Sequence, residues 1–170
     1  VAGGQTNVTM HILGAVIGAF AHVVPERVKA GEYTSNSDIG VGGRDPKTGE
    51  AYVHYFFPPG GHGGRLRRDG SGGLDGVSCM MTILGNCASQ PIEILETLWP
   101  FYCEEYKYRE NSAGPGKFRG GFGEMISWGP VGHQATFSVF TERTRIPPIG
   151  FFFGGNGAPT RYRITRKSSE

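Results

Sequence analysis

Glycine is the residue that most constrains what this chain can fold into. Its 29 glycines are gathered into clusters between apolar runs, most densely at 60–73 and 112–123, with 11 prolines interspersed. Such a cluster marks a turn, or a place where one backbone lies close to another, because glycine alone lacks a Cβ. Strands separated in this way are short and their connections long, which argues for a mostly antiparallel sheet or sandwich with two packed helices, an α+β, β-rich fold. A hydrophobic content of 38% and an aromatic content of 12% separate the chain from disordered glycine-rich polymers. Its 170 residues suit a single domain, 1–170, with a buried core.

The one long helix is expected at 8–24. Val8, Ile12, Ala15, Ala19, Phe20 and Val23 recur at three- and four-residue steps as one apolar face. Leu13, Val16 and Ile17 widen that face, which implies burial on more than one side. Thr6 or Asn7 can cap the helix and Pro25 limits it. The run carries His11 and His22 and is short for a membrane span, so it reads as a core helix. A strand at 38–41 leads through a hairpin turn at 46–49 into a strand at 51–57, ended by Pro58-Pro59. Residues 77–84 read as strand or as buried loop. A second helix has Pro91 at its first position, Ser89 or Gln90 as cap and Glu93 in its first turn, and stops at Pro100. Strands follow. In 101–109, Tyr102, Tyr106 and Tyr108 alternate with Cys103, Glu105, Lys107 and Arg109; 122–128 puts Phe122, Ile126 and Trp128 on one side; Ala135, Phe137 and Val139 do the same in the next; 161–165 also reads as strand-like.

A net charge of +2 gives no reason to expect a nucleic-acid partner. Cys79, Cys87 and Cys103 are odd in number and form no CxxC pair, which fits buried free thiols in a cytoplasmic protein better than a secreted disulfide framework. No signal peptide is visible. His11, His22, His54, His62 and His133 lack ligand spacing to another His, Cys or carboxylate, so no metal site is assigned.

The stretch 60–73 is the candidate for ligand contact. Gly60, Gly61, Gly63 and Gly64 allow backbone N–H groups to converge on an anion, and Arg65, with Arg67 and Arg68, adds charge and bidentate donors. His62 is the one titratable side chain within the glycine run and can transfer protons near neutral pH. Asp69 is the second catalytic candidate; Asp75 and Asn86 lie beyond it, and each of the three could equally shape a turn. The competing reading of the stretch is a solvated surface loop. Gly114-Pro115-Gly116-Lys117 fails as a phosphate loop: Asn111 stands where the first glycine belongs and Phe118 follows the lysine, so a hairpin turn is expected. Thr141-Glu142-Arg143-Thr144-Arg145 reads as structural salt bridging at a strand end.

Three phrases carry a family likeness: Pro91-Ile92-Glu93-Ile94-Leu95-Glu96, the glycine-dense 112–123, and Thr141-Glu142-Arg143-Thr144-Arg145 running into Pro147-Pro148-Ile149-Gly150. In order and spacing they resemble the C-terminal part of hydantoinase B, the subunit family shared by ATP-dependent hydantoinases, oxoprolinases and the acetone and acetophenone carboxylases. The glycine-dense phrase is similar to the family's S-G-G-x-G-x-x-R-G-G-x-G turn, with Ala113, Pro115 and Phe118 as variants. Residues 65–70 resemble its Arg-x-Gly-x-Asp-Gly phrase, with an arginine in place of the first glycine. The family's His-x-His-Met-Thr-Asn phrase has no counterpart in 77–86, which favours a substrate class other than simple hydantoins.

The resemblance implies part of a larger B-type subunit, with family metal ligands of the His and Asp type lying in an N-terminal half. It also implies a hetero-oligomer with an ATP-binding hydantoinase A-type partner. The reaction expected from it is ATP-dependent hydrolysis of a cyclic amide (hydantoin, oxoproline or a related lactam), with ATP and Mg or Mn bound mainly outside this chain. Carboxylation of a small ketone is the alternative, favoured by the aromatic Tyr52, Tyr55, Phe56 and Phe57; a non-catalytic structural subunit is another. The chain alone is expected to be inactive, and the 60–69 loop to line an internal cleft.

Overall fold

The computed structural model describes residues 7–35, 37–81 and 89–166. Helix α1 (Asn7–Phe20) and a 3-10 turn (Pro25–Arg27) precede strands β1 (Asp38–Arg44), β2 (Ala51–Phe56), β3 (Arg65–Leu66) and β4 (Gly73–Leu74). Helix α2 (Ile92–Leu98) is followed by β5 (Phe101–Tyr108), β6 (Glu124–Pro130) and β7 (Ala135–Phe140). The strands form three antiparallel sheets, β2–β1–β7, β3–β4 and β5–β6, and the fold is α+β as expected. Thr6, Asn36, Asn86, Cys87, the 82–84 part of the apolar run and the side chain of Asn7 lie outside the described residues.

The core forms where alternation in the three-stranded sheet meets the β5–β6 hairpin. In register, Ile39 faces Phe56 and Val139, Val41 faces His54 and Phe137, and Gly43 faces Tyr52 and Ala135. That face packs on Leu95 of α2 and on Trp99, Phe101 and Trp128. His54 is 4% exposed among these rings, stacked 5.4 Å from Phe56. The β1–β2 hairpin closes where expected: the Gly49 N–H donates to Asp45 O at 2.8 Å, with Gly49 at a φ of 75° that only glycine takes without strain.

Several expectations are corrected. Helix α1 ends at Phe20, not Val24, because Val24 precedes Pro25 and leaves the helical region at φ −136°. Its apolar stripe points outward: Val8, Ile12, Val16, Phe20 and Val23 are exposed, whereas Met10 and Ala21 are buried. The helix turns its glycines inward, Gly14 toward Thr34 and Gly18 toward the Phe151 ring. Pro91 occupies the N-cap position of α2 rather than its first turn, and no side-chain cap bond is made there. A β-bulge between Cys103 and Glu105 breaks the tyrosine stripe, so Tyr102 lies on the face opposite Tyr106 and Tyr108. Residues 161–165 join no sheet.

Glu142 and the arginines beside it are not paired with one another as an ion-pair strand end. Arg143 Nε donates to Thr34 Oγ1 at 2.7 Å, and its Nη1 reaches Pro147 O at 3.5 Å. Glu142 Oε2 lies 3.9 Å from Nε2 of His11 on α1. This phrase pins the helix to the 33–37 segment.

Candidate functional site

His62 sits where four irregular segments, 29–33, 60–64, 76–80 and 119–123, run side by side. Both its backbone groups are used: its N–H donates to Val77 O at 2.9 Å and its carbonyl accepts from Gly121 N at 2.8 Å. Gly60 and Met80 exchange two bonds, Tyr33 N reaches Gly61 O, and Ala30 N reaches Gly64 O. The spacing is possible only for glycine. A Cβ on Gly61 would overlap the Gly121 carbonyl, one on Gly63 the Ala30 carbonyl, one on Gly76 the His62 carbonyl, and one on Gly121 the Val77 carbonyl. The visible work of the glycines is close backbone approach, and the N–H groups of Gly60 and His62 are committed to carbonyls.

This stacking aims the His62 ring at two side chains that the sequence did not single out. His62 Nε2 lies 2.8 Å from Met81 O and 3.5 Å from Glu32 Oε2. A carbonyl only accepts, so Nε2 carries the proton and Nδ1 presents its lone pair to the Lys29 ammonium, 3.3 Å away. Lys29 is in turn paired with Glu32. Burial, reinforced by Lys29, holds His62 below the usual histidine range and keeps the ring neutral at physiological pH. Lys29 and Glu32 fall within a polar stretch of no regular period; their i, i+3 spacing was the only available signal.

The 60–66 segment forms one wall of a large cleft of about 2420 Å³, bounded elsewhere by β6, β7 and the 148–166 stretch. The wall carries Arg65, Arg109, Lys117, Arg161, Arg163 and Arg166 against Glu104, Glu105 and Glu124. Gly60, Gly61, His62, Gly63, Gly64 and Arg65 all lie on it, and the cleft itself was expected. Asp69 does not join that wall. It is exposed at the tip of the β3–β4 hairpin, where Oδ1 accepts from Ser71 N at 3.0 Å and Ser71 Oγ at 2.7 Å, bonds that hold its carboxyl below the usual range. Asp75 is a structural tie, accepting from Arg119 N at 2.8 Å. The 114–117 segment is a turn whose Gly114 backs onto Gly155 and Asn156. Among the described residues, no group of three His, Cys, Asp or Glu side chains is placed to hold a metal ion, and no helix is long and apolar enough to cross a membrane.

The hydantoinase B/oxoprolinase family model matches residues 1–170, and the chain belongs to that family. It is 31% identical over 135 residues to the beta subunit of a caprolactamase of Pseudomonas jessenii, covering 78% of this chain and 22% of that protein. A Pseudomonas sp. (strain NS671) protein, provisionally named as the B-type subunit of a D-/L-hydantoinase, is 31% identical over 140 residues, 82% of this chain and 22% of that protein. An uncharacterized Schizosaccharomyces pombe protein is 32% identical over 150 residues, 88% of this chain and 11% of that protein. The chain thus spans between 11% and 22% of the length of these three relatives.

Proposed function

We propose that this chain is the C-terminal portion of the B-type subunit of an ATP-dependent cyclic-amide hydrolase, acting in the cytoplasm with an ATP-binding A-type partner. The observation that carries the reading is family membership along the whole chain, together with relatives named for hydantoin and caprolactam enzymes. Amide resonance makes an unstrained lactam carbonyl a poor electrophile, and ATP with Mg or Mn would supply its activation. The residues here do not fit that nucleotide, since the 114–117 turn packs against backbone and opens no helix. Nucleotide and metal are therefore assigned to the rest of the assembly.

What this chain contributes is a wall of the reaction cleft. Its basic excess suits an anionic reactant or the carboxylate that ring opening produces. Arg65, which has no ion-pair partner among the described residues, is free to hold that anion. Neutral His62 accepts a proton from the attacking water once Lys29 moves off Nδ1. Asp69 joins them only if the rest of the assembly closes over the β3–β4 tip. The cleft exceeds the roughly 1,000 Å³ upper range of small-molecule pockets, so other parts of the subunit are expected to fill much of it.

The test is co-expression of the full B-type subunit with its A-type partner, followed by ATP-dependent assays on a lactam, 5-oxoproline, a hydantoin, and a ketone with bicarbonate. Ring opening is expected, with His62→Gln lowering kcat by about 10²-fold and Arg65→Ala acting mainly on KM. Ketone carboxylation without ring opening would favour the carboxylase reading, and no turnover at all a structural subunit.

A further inference from the structure

One acid on the cleft wall has no part in the chemistry assigned to His62 and Arg65. Glu124 opens β6 opposite Tyr108, and the unbroken register that pairs Tyr106 with Ile126 puts Tyr106 on the same face. One carboxyl oxygen is bonded to Tyr106, while Oε2 is shut off from water and has no hydrogen-bond partner among the described residues. Buried polar atoms are seldom left so. Beside it lies the Cys79 thiol, held at a φ of 48° with its N–H on Phe122 O at 2.9 Å. The titratable groups facing Glu124 are Tyr106 and Cys103 from β5 and Cys79 from the preceding loop, all raised by burial and so uncharged at neutral pH. With no cation among the described residues to hold it as a carboxylate, Glu124 is lifted by burial to about 7, and Tyr106 offsets this only in part. The geometry is that of a neutral carboxylic acid on a cleft wall, its free oxygen the one that carries the proton.

We propose that Glu124 is the general acid of ring opening, delivering its proton to the departing nitrogen of the cyclic amide. This rests on the cyclic-amide reading above. Ring opening adds a water oxygen to the carbonyl carbon and breaks the carbon–nitrogen bond, whose electron pair goes to nitrogen. The nitrogen of a simple lactam leaves as an amine only if a proton arrives as the bond breaks, because its anion is far too basic. Glu124 turns its shielded Oε2 into the cleft, gives up the proton there and becomes a carboxylate. The proton lost by water goes to His62 on the same cleft, and return of that proton to Glu124 through solvent restores both groups. Ring opening consumes one water, release of the activating phosphoryl group of ATP as phosphate consumes a second, and no oxidant or reductant is needed.

The experiment uses the assembled enzyme with a lactam and the cyclic imide of the same ring size, whose nitrogen leaves as a much weaker base. Glu124→Gln should lower kcat on the lactam by about 10²-fold or more, and on the imide by less than about tenfold. Wild-type kcat on the lactam should fall as pH rises through about 7, and Glu124→Gln should lack that limb. Tyr106→Phe removes a bond that favours the carboxylate and should move the limb to higher pH. Unchanged kcat in Glu124→Gln, or equal losses on both substrates with the limb intact, would overturn the assignment while leaving the hydrolase reading standing. A wild-type assembly that opens neither ring would remove that reading and the general acid with it.

Discussion

A glutamate buried to about 7 makes the folded chain keep a proton that the unfolded chain has already released. Between its ordinary 4.5 and about 7 the folded form binds the extra proton, so stability is lost as pH rises through that window and is level above it. The loss amounts to about 1.4 kcal/mol per unit at most, on the order of 3 kcal/mol in all. His11, His54 and His62 are shifted down by burial and work in the opposite sense, losing stability as pH falls below 6.5. The informative quantity is therefore the difference between wild type and Glu124→Gln. In chemical denaturation the variant should gain on wild type between pH 5 and pH 8, and a constant difference would mean that Glu124 titrates as an ordinary surface acid. Glycines offer another test at this scale. Gly76→Ala, whose new methyl would collide with the His62 carbonyl, should destabilise by about 3 kcal/mol or more. Gly129→Ala, which meets nothing within 4 Å, should stay within about 0.5 kcal/mol in the same melting experiment. The clusters were legible in sequence as places of close approach. Which backbone each glycine meets was not, because Gly61 and Gly121 are brought together by pairings that leave no local periodicity. Lys29 and Glu32 were missed for the same reason, and Asp69 turned out to make the Asx-type turn that its composition equally allowed.

At the scale of elements, alternation and proline punctuation placed β1, β2, β7 and both helices to within a few residues. Periodicity could not tell which side of α1 faces the protein, since the helix is apolar over much of its circumference and glycine, not leucine, makes its close contacts. Nor could it foresee the bulge in β5, which inserts one residue and puts Tyr102 on the face opposite Tyr106 and Tyr108. The exposed stripe of α1 is a surface that a longer subunit would cover. In the full B-type subunit, Ile12→Asp or Phe20→Asp should lower stability by about 2 kcal/mol or more, the transfer free energy of one buried apolar side chain. Unaltered melting of both variants would mean that the stripe stays in water even there. A strained pair holds the inner side of the same helix: Thr34 and Arg143, both at positive φ, are joined by the 2.7 Å bond, so Thr34→Val should loosen α1 without touching the cleft.

For the molecule as a whole, the cleft is bounded by the 60–66 segment, β6, β7 and the 148–166 stretch, and on the proposed function its remaining parts come from the rest of the assembly. Purified on its own, the chain is expected to show neither ATPase nor amide-hydrolysing activity, and turnover by the chain alone would refute its dependence on the rest of the assembly. The stacked segments have a further consequence, for how the chain reaches its native state. The 60–64 backbone is bonded both to 29–33 and to 119–123, so the stack cannot be completed until the last of the three has been synthesised. Contacts this distant in sequence require loop closure before they return any stabilisation, which makes folding slow relative to helical domains of the same size. A ribosome-bound nascent chain that has not yet exposed Gly121 should remain protease-sensitive throughout, and protection should appear in a single late step, after both ends of the stack have emerged from the exit tunnel.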